Sequence, residues 1–160
     1  MNARRKRGCK GYTLVELIVV MGMLGILAAM VVPLAEMNVQ RDRERELKLS
    51  LQQIRQAIDE YHQAALVGQI AVPAGASAYP PSLQVLVDGI PDARVPGKVL
   101  YFLRKMPRDP FADSAAPAEA TWQLRSYVSP SGRPQPGVDV YDVASRSDGM
   151  GMNGVPLRDW

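Results

Sequence analysis

Residues 14–34 form one apolar run, and its opening turn contains a single carboxylate, Glu16. From Leu17 to Leu34 there is no further charge, so the run has about the length a helix needs to cross the ~30 Å hydrocarbon core of a bilayer. A charge carried into that region costs ~2.5–3.5 kcal/mol even on lenient insertion scales. Glu16 therefore implies a function and a partner that offset the cost. Ahead of the run stand Arg4-Arg5-Lys6-Arg7-Gly8-Cys9-Lys10-Gly11-Tyr12-Thr13. A basic leader stops at a glycine, an aromatic residue follows, and Glu16 comes four positions after it.

Basic leader, Gly11-Tyr12 junction, offset Glu16 and an apolar helix ending near Pro33 together resemble the class III signal of type IV pilins and type II secretion pseudopilins. The resemblance implies that a prepilin peptidase cuts between Gly11 and Tyr12 on the cytoplasmic side and N-methylates Tyr12. It makes Glu16 the family glutamate, which acts in assembly, and Pro33 the helix-loosening proline. Tyr12 stands where most members have Phe, and the ring is kept. An ordinary secretory signal would place a small-residue cleavage site after the apolar region, and Ala28-Ala29-Met30 matches one weakly without explaining Glu16. A plain anchor with residues 4–10 as a positive-inside flank explains orientation but leaves Glu16 without purpose. Cys9 follows charged residues rather than the apolar ones a lipidation site needs.

The formal charge of +3 depends on the leader. Without residues 1–11, 14 Lys/Arg remain against 16 Asp/Glu, so no basic footprint for nucleic acid survives. The only cysteine, Cys9, leaves as well, and the processed chain can form no disulfide. About 150 residues with a long helix leave room for one small head.

Past Pro33, residues 36–48 carry charges of near-alternating sign, three or four apart, which reads as a solvated helix face. Leu47, Leu51, Ile54, Ile58, Tyr61 and Ala65 then form a stripe at helical spacing, suited to packing on a sheet of the same chain, although a coiled-coil seam reads similarly over so short a run. Val67-Gly68 marks the end of the helix. His62, the only histidine, lies off the stripe and reads as a surface residue.

Residues 71–98 read as a loop-rich connector with one short helix around Leu83, Leu86 and Val87, capped by Ser82 after Tyr79-Pro80-Pro81. Pro107 and Pro110 stiffen the following loop. Residues 121–128 and 138–143 read as strands, and the tail from Ser145 to Trp160 as turns around Asp148-Gly149 and Asn153-Gly154. Tyr79-Pro80-Pro81-Ser82-Leu83, Met106-Pro107-Arg108-Asp109-Pro110 and the final Arg158-Asp159-Trp160 resemble landmarks of the major pseudopilin of type II secretion. That resemblance implies a calcium site near the last strand. Asp139, Asp142, Ser145, Ser147 and Asp148 are its oxygen-donor candidates, and the alternative is that they satisfy turn backbone groups. The acidic cluster usual before the last Trp is replaced by Met150-Gly151-Met152-Asn153-Gly154-Val155-Pro156-Leu157.

No phosphate loop, Cys/His cluster or nucleophile beside a histidine points to an enzyme, and no cofactor is required. The expected fold is α+β: a long N-terminal helix, its first half transmembrane, its second half packed on a small antiparallel head. Residues 1–11 form the leader, 12–35 the membrane and assembly helix, 36–67 its amphipathic continuation, and 68–160 the head. The resemblance implies a pseudopilus subunit in the bacterial inner membrane, single-pass, with a cytoplasmic N-terminus and a periplasmic head. Its partners would be further copies of itself, the peptidase, the inner-membrane assembly platform and minor pseudopilins. A type IV pilin for adhesion or motility is the alternative within the family, although such pilins usually close their C-terminal region with a disulfide. A single-span protein whose head binds a periplasmic partner without polymerising is the alternative outside it.

Overall fold

Helix α1 runs over Leu14–Leu66, 53 residues, in a computed structural model that describes residues 12–130 and 132–160, without the side chains of residues 30, 32 and 33. In its N-terminal part the apolar composition leaves the backbone to pair along its own helix. From Leu47 onward the stripe takes over. Leu47, Leu51, Ile54, Ile58, Tyr61 and Ala65 are all buried, joined by Ala57 and Ala64 on the same face. The helix stops in a glycine-dependent reversal. Gly68 takes φ +75°, its N–H donates to Ala65 O at 3.0 Å, and Gln69 N–H donates to Ala64 O at 2.8 Å. These two bonds satisfy carbonyls that the helix end would leave open.

Residues 40–160 form one compact unit. After α1 comes the short helix α2, Gln84–Asp88, whose N-cap is Leu83 with no side-chain cap bond, so Ser82 does not fill the expected role. Gly89 ends α2 at φ +81°, where an added Cβ would meet Tyr101 and Val99 side chains at 2.7 Å. Only glycine fits that approach. Two antiparallel pairs follow: β1 (Ile90–Pro91) with β2 (Val99–Leu100), and β3 (Trp122–Arg125) with β4 (Asp142–Ser145). β1 lies inside the 71–98 connector expected to be loop-rich, and β2 directly after it. The second is shifted from expectation, because β4 begins at Asp142 and pairs Leu124 with Val143 and Trp122 with Ser145. Val138 is 88% exposed rather than part of a strand.

The core lies between the α1 stripe and Leu83, Leu86, Leu103, Trp122, Val140, Val143 and Leu157. The proline-bounded loop is pinned to it by polar contacts. Trp122 Nε1 donates to Pro107 O at 3.0 Å, and buried Asp109 accepts Ser145 Oγ at 2.5 Å and Phe111 N–H at 2.8 Å. Asp109 thereby ties the loop to β4.

Ile58 is fully buried in this core. Ile58→Ala is expected to cost ~2–5 kcal/mol, because the lost transfer energy adds to that of the cavity left behind. Chemical denaturation of the head transition checks it. An unchanged midpoint would mean that the stripe does not stabilise the head.

Candidate assembly site

Tyr12 and Leu14 are 81% and 76% exposed at the head of α1, and Gly11 lies outside the described residues. Thr13 caps the helix: its Oγ1 accepts Glu16 N–H at 3.3 Å and its carbonyl accepts Leu17 N–H at 3.2 Å. Glu16 thus stands at the third helical position, where a carboxylate also faces the positive end of the helix dipole. Its residue is exposed. The following turns are apolar and exposed as well: Leu17, Ile18, Met21, Leu24, Ile26, Leu27, Val31 and Leu34 are each more than half accessible. An 18-residue window of α1 reaches a mean hydropathy of 2.7, long and apolar enough to cross a bilayer. Pro33, within α1, supplies no N–H to the helix ladder.

The donor candidates in the tail are dispersed. Asp139 is buried and accepts Ser126 Oγ at 2.5 Å, Tyr127 N–H at 2.9 Å and the Ser77 hydroxyl. Asp142 pairs with Arg55 Nε at 2.8 Å. Ser145 Oγ is bound to Asp109, and it accepts Ser147 N–H at 3.0 Å. Ser147 Oγ accepts Gly149 N–H at 3.1 Å, while exposed Asp148 lies 3.4 Å from Arg158. Calcium needs six to eight oxygens on one centre. Guanidinium groups stand beside two of these five residues. Among the described residues no cluster of three or more His, Cys, Asp or Glu side chains is suited to hold a metal.

Burial alone would raise the Asp139 carboxyl, but hydrogen bonds from Ser126, Ser77 and the Tyr127 amide outweigh it and hold the pKa below the usual value. The stabilisation is therefore present above the unfolded pKa of about 4 and is lost as pH falls through the lower folded value. Asp139→Asn is expected to lower the thermal midpoint at pH 7 and to flatten its fall below about pH 4. Equal acid profiles for both forms would rule this carboxylate out as a source of acid sensitivity.

Several buried polar contacts had no local signal in the sequence. Glu44 is buried within the charged run, and its Oε1 accepts Gln40 Nε2 at 3.0 Å and Met152 N–H at 2.8 Å. Arg55 reaches Val143 O and Trp160 O at 3.0 and 2.9 Å. His62 is half-buried rather than a free surface residue: it stacks on Tyr79 at 4.1 Å and 4°, with Nδ1 3.3 Å from Ala78 O.

One long N-terminal helix followed by a small head with two antiparallel pairs is an α+β, pilin-like architecture. Residues 6–32 match the prokaryotic N-terminal methylation motif, the class III signal peptide of type IV pilin-like proteins. No curated protein and no solved structure matches the chain. The match covers the leader and the first part of α1, and it supports a type IV pilin-like substrate of prepilin peptidase.

Proposed function

We propose that this chain is a subunit of a type II secretion pseudopilus, cut after Gly11, N-methylated at Tyr12 and polymerised from the inner membrane to drive protein export. The observation that carries the reading is the exposed apolar face of α1 with Glu16 in its first turn, within a segment that matches the methylation motif. Lipid covers that face before assembly, and neighbouring copies of the helix cover it afterwards. Glu16 of one subunit would pair with the Tyr12 amine of the next, so two charges leave water together rather than one alone. The single cysteine in the leader favours secretion over an adhesive pilus, because the processed chain has no disulfide to close its C-terminal region. So do the Pro80-Pro81 and Pro107-to-Pro110 landmarks.

The test is to overproduce the chain with its assembly machinery, shear the cells and identify the filament subunits. Filaments built of chains beginning at Tyr12, together with loss of exoprotein release when the gene is deleted, are expected. Normal release with lost surface adhesion would assign the chain to an adhesive pilus instead.

A further inference from the structure

Among the described residues the head buries four carboxylates, and three of them have both oxygens occupied. Asp109 and Asp139 accept an N–H or O–H on each oxygen. Asp92 accepts the Arg94 N–H with one oxygen and meets Lys98 Nζ at 3.2 Å with the other. Glu44, 8% exposed, is the exception. Its two donors, Gln40 Nε2 and the Met152 N–H, are uncharged, and both bind Oε1. Oε2 accepts no hydrogen bond among the described residues, yet it is not one of the unpartnered atoms sealed from solvent.

A buried charge needs a counter-charge or a full set of hydrogen bonds. Glu44 has neither, and its second oxygen is open to an incoming group. Its own chain does not fill the place. Lys48, one turn further along α1, holds its Nζ 4.5 Å from the Trp160 ring centre, and Arg45 pairs with Asp42. Glu44 itself makes no ion pair among the described residues. The cation then comes from another chain, and the assembly reading says from where. If Glu16 of one subunit meets the Tyr12 amine of the next, the copies are displaced by the four residues between these positions, about 6 Å of helix. A repeated step has the same height at every level, so the count holds for Glu44 whatever the course of the chain between. Glu44 then stands level with residue 40 of the next copy, beside that copy's Arg41. Arg41 is exposed and makes no ion pair among the described residues.

We propose that Glu44 receives the Arg41 guanidinium of the next copy, an ion pair that fixes the register of neighbouring subunits where α1 enters the head. A guanidinium matches a carboxylate in shape and charge, and a long arginine side chain spans the gap between adjacent helices. Gln40 and the Met152 N–H hold the acceptor in place, so the tail loop positions the contact. In a filament the same head-to-tail contact repeats at every junction. The inference rests on the assembly reading and adds a second contact between the same two copies.

The experiment expresses the full chain with its assembly machinery and measures filaments sheared from cells. Arg41→Glu sets two acids against each other between copies and should lower the yield about tenfold. Arg41 is exposed, so the head does not depend on it for folding. Arg41→Glu/Glu44→Arg reverses the pair and should recover the yield. A second arm keeps the test open if arginine does not fit at position 44. In Arg41→Cys/Glu44→Cys both charges are gone and neither is stranded, and Cys9 leaves with the leader, so no other thiol remains. A short bismaleimide should join these filaments into ladders above the dimer, while each single-cysteine chain, doped into wild-type filaments, stays mostly monomeric. Wild-type filaments with an undiminished yield from Arg41→Glu, with no ladder, or with dimers as abundant in the single-cysteine controls would overturn the pair alone. So would rescue of Glu44→Arg by Lys48→Glu, which would place the partner in the same chain. No filaments from the wild type would overturn the assembly reading and the pair together.

Discussion

Replacing Gly11 by aspartate is expected to leave the chain uncut in the membrane, at full precursor mass and without a methyl group. The reasoning starts from backbone access. A peptidase that cuts between Gly11 and Tyr12 must bring the scissile bond close to its catalytic groups, and glycine alone has no Cβ in the way. Aspartate adds bulk and a negative charge beside a basic leader whose Arg4, Arg5, Lys6, Arg7 and Lys10 would, in the proposed topology, hold that end on the cytoplasmic side. Insertion should survive, because the apolar run is unchanged and the positive flank still outweighs one new acid. Head folding should survive too, since residues 40–160 form their own compact unit. Intact-mass analysis of detergent-extracted protein reads the outcome. The wild type should yield a methylated chain beginning at Tyr12 and Gly11→Asp the whole precursor. Wild-type protein found only at precursor mass would mean that the motif is not processed here, and a mature chain starting elsewhere would move the junction.

The parts of this fold that were legible in the sequence are those with a period. The spacing of Leu47, Leu51, Ile54, Ile58, Tyr61 and Ala65 repeats along a helix, and every one of these residues is buried. The end of α1 was equally legible, because a glycine in the left-handed region is a local requirement that needs no distant partner. The strands were harder. β1 and β2 have two residues each, too few to show alternation, and one of them is a proline. β4 was misplaced because residues 138–143 look β-prone, yet Asp139 is drawn to Ser126, Ser77 and the Tyr127 amide, and pairing begins only at Asp142. A tertiary hydrogen-bond network overrode a local propensity.

The same division runs through the polar sites. Glu16 stood out because a lone charge in an apolar run is unusual by itself. Glu44 and Arg55 did not, since a charged residue on a charged helix reads as solvated until its partner 108 or 87 residues away is known. The tail acids illustrate the converse. Asp139, Asp142 and Asp148 are close in sequence, but Arg55 and Arg158 are folded against two of them and hydroxyls against the third. Proximity in sequence suggested a cation site, and partners distant in sequence, which that proximity does not reveal, engage each of the three carboxylates.

Glu16→Leu is expected to abolish filaments while leaving insertion, cleavage and head folding intact. Two roles for Glu16 make different demands, and their magnitudes separate them. Beside the positive end of its own helix dipole the Glu16 carboxylate stabilises only that helix end, by roughly 0.3–1 kcal/mol, and the Thr13 cap bond comes from its backbone N–H, which a substitution keeps. Losing that much would fray a turn of a helix held by lipid, and filaments would still form. As the partner of a neighbouring Tyr12 amine it neutralises a charge in a low-dielectric helix core. Removing one member of such a pair strands the other, at a cost of about 3–5 kcal/mol per contact. Repeated at each subunit, that penalty prevents growth. Glu16→Gln is the decisive companion, because glutamine can take the glutamate's place in a capping box but carries no charge. In the proposed pseudopilus both variants accumulate in the inner membrane as cleaved subunits, and shearing releases filaments from the wild type alone. If Glu16→Gln assembled as well as the wild type, the charge would not be the reason for Glu16. If Glu16→Leu did so too, the side chain would have no part in assembly.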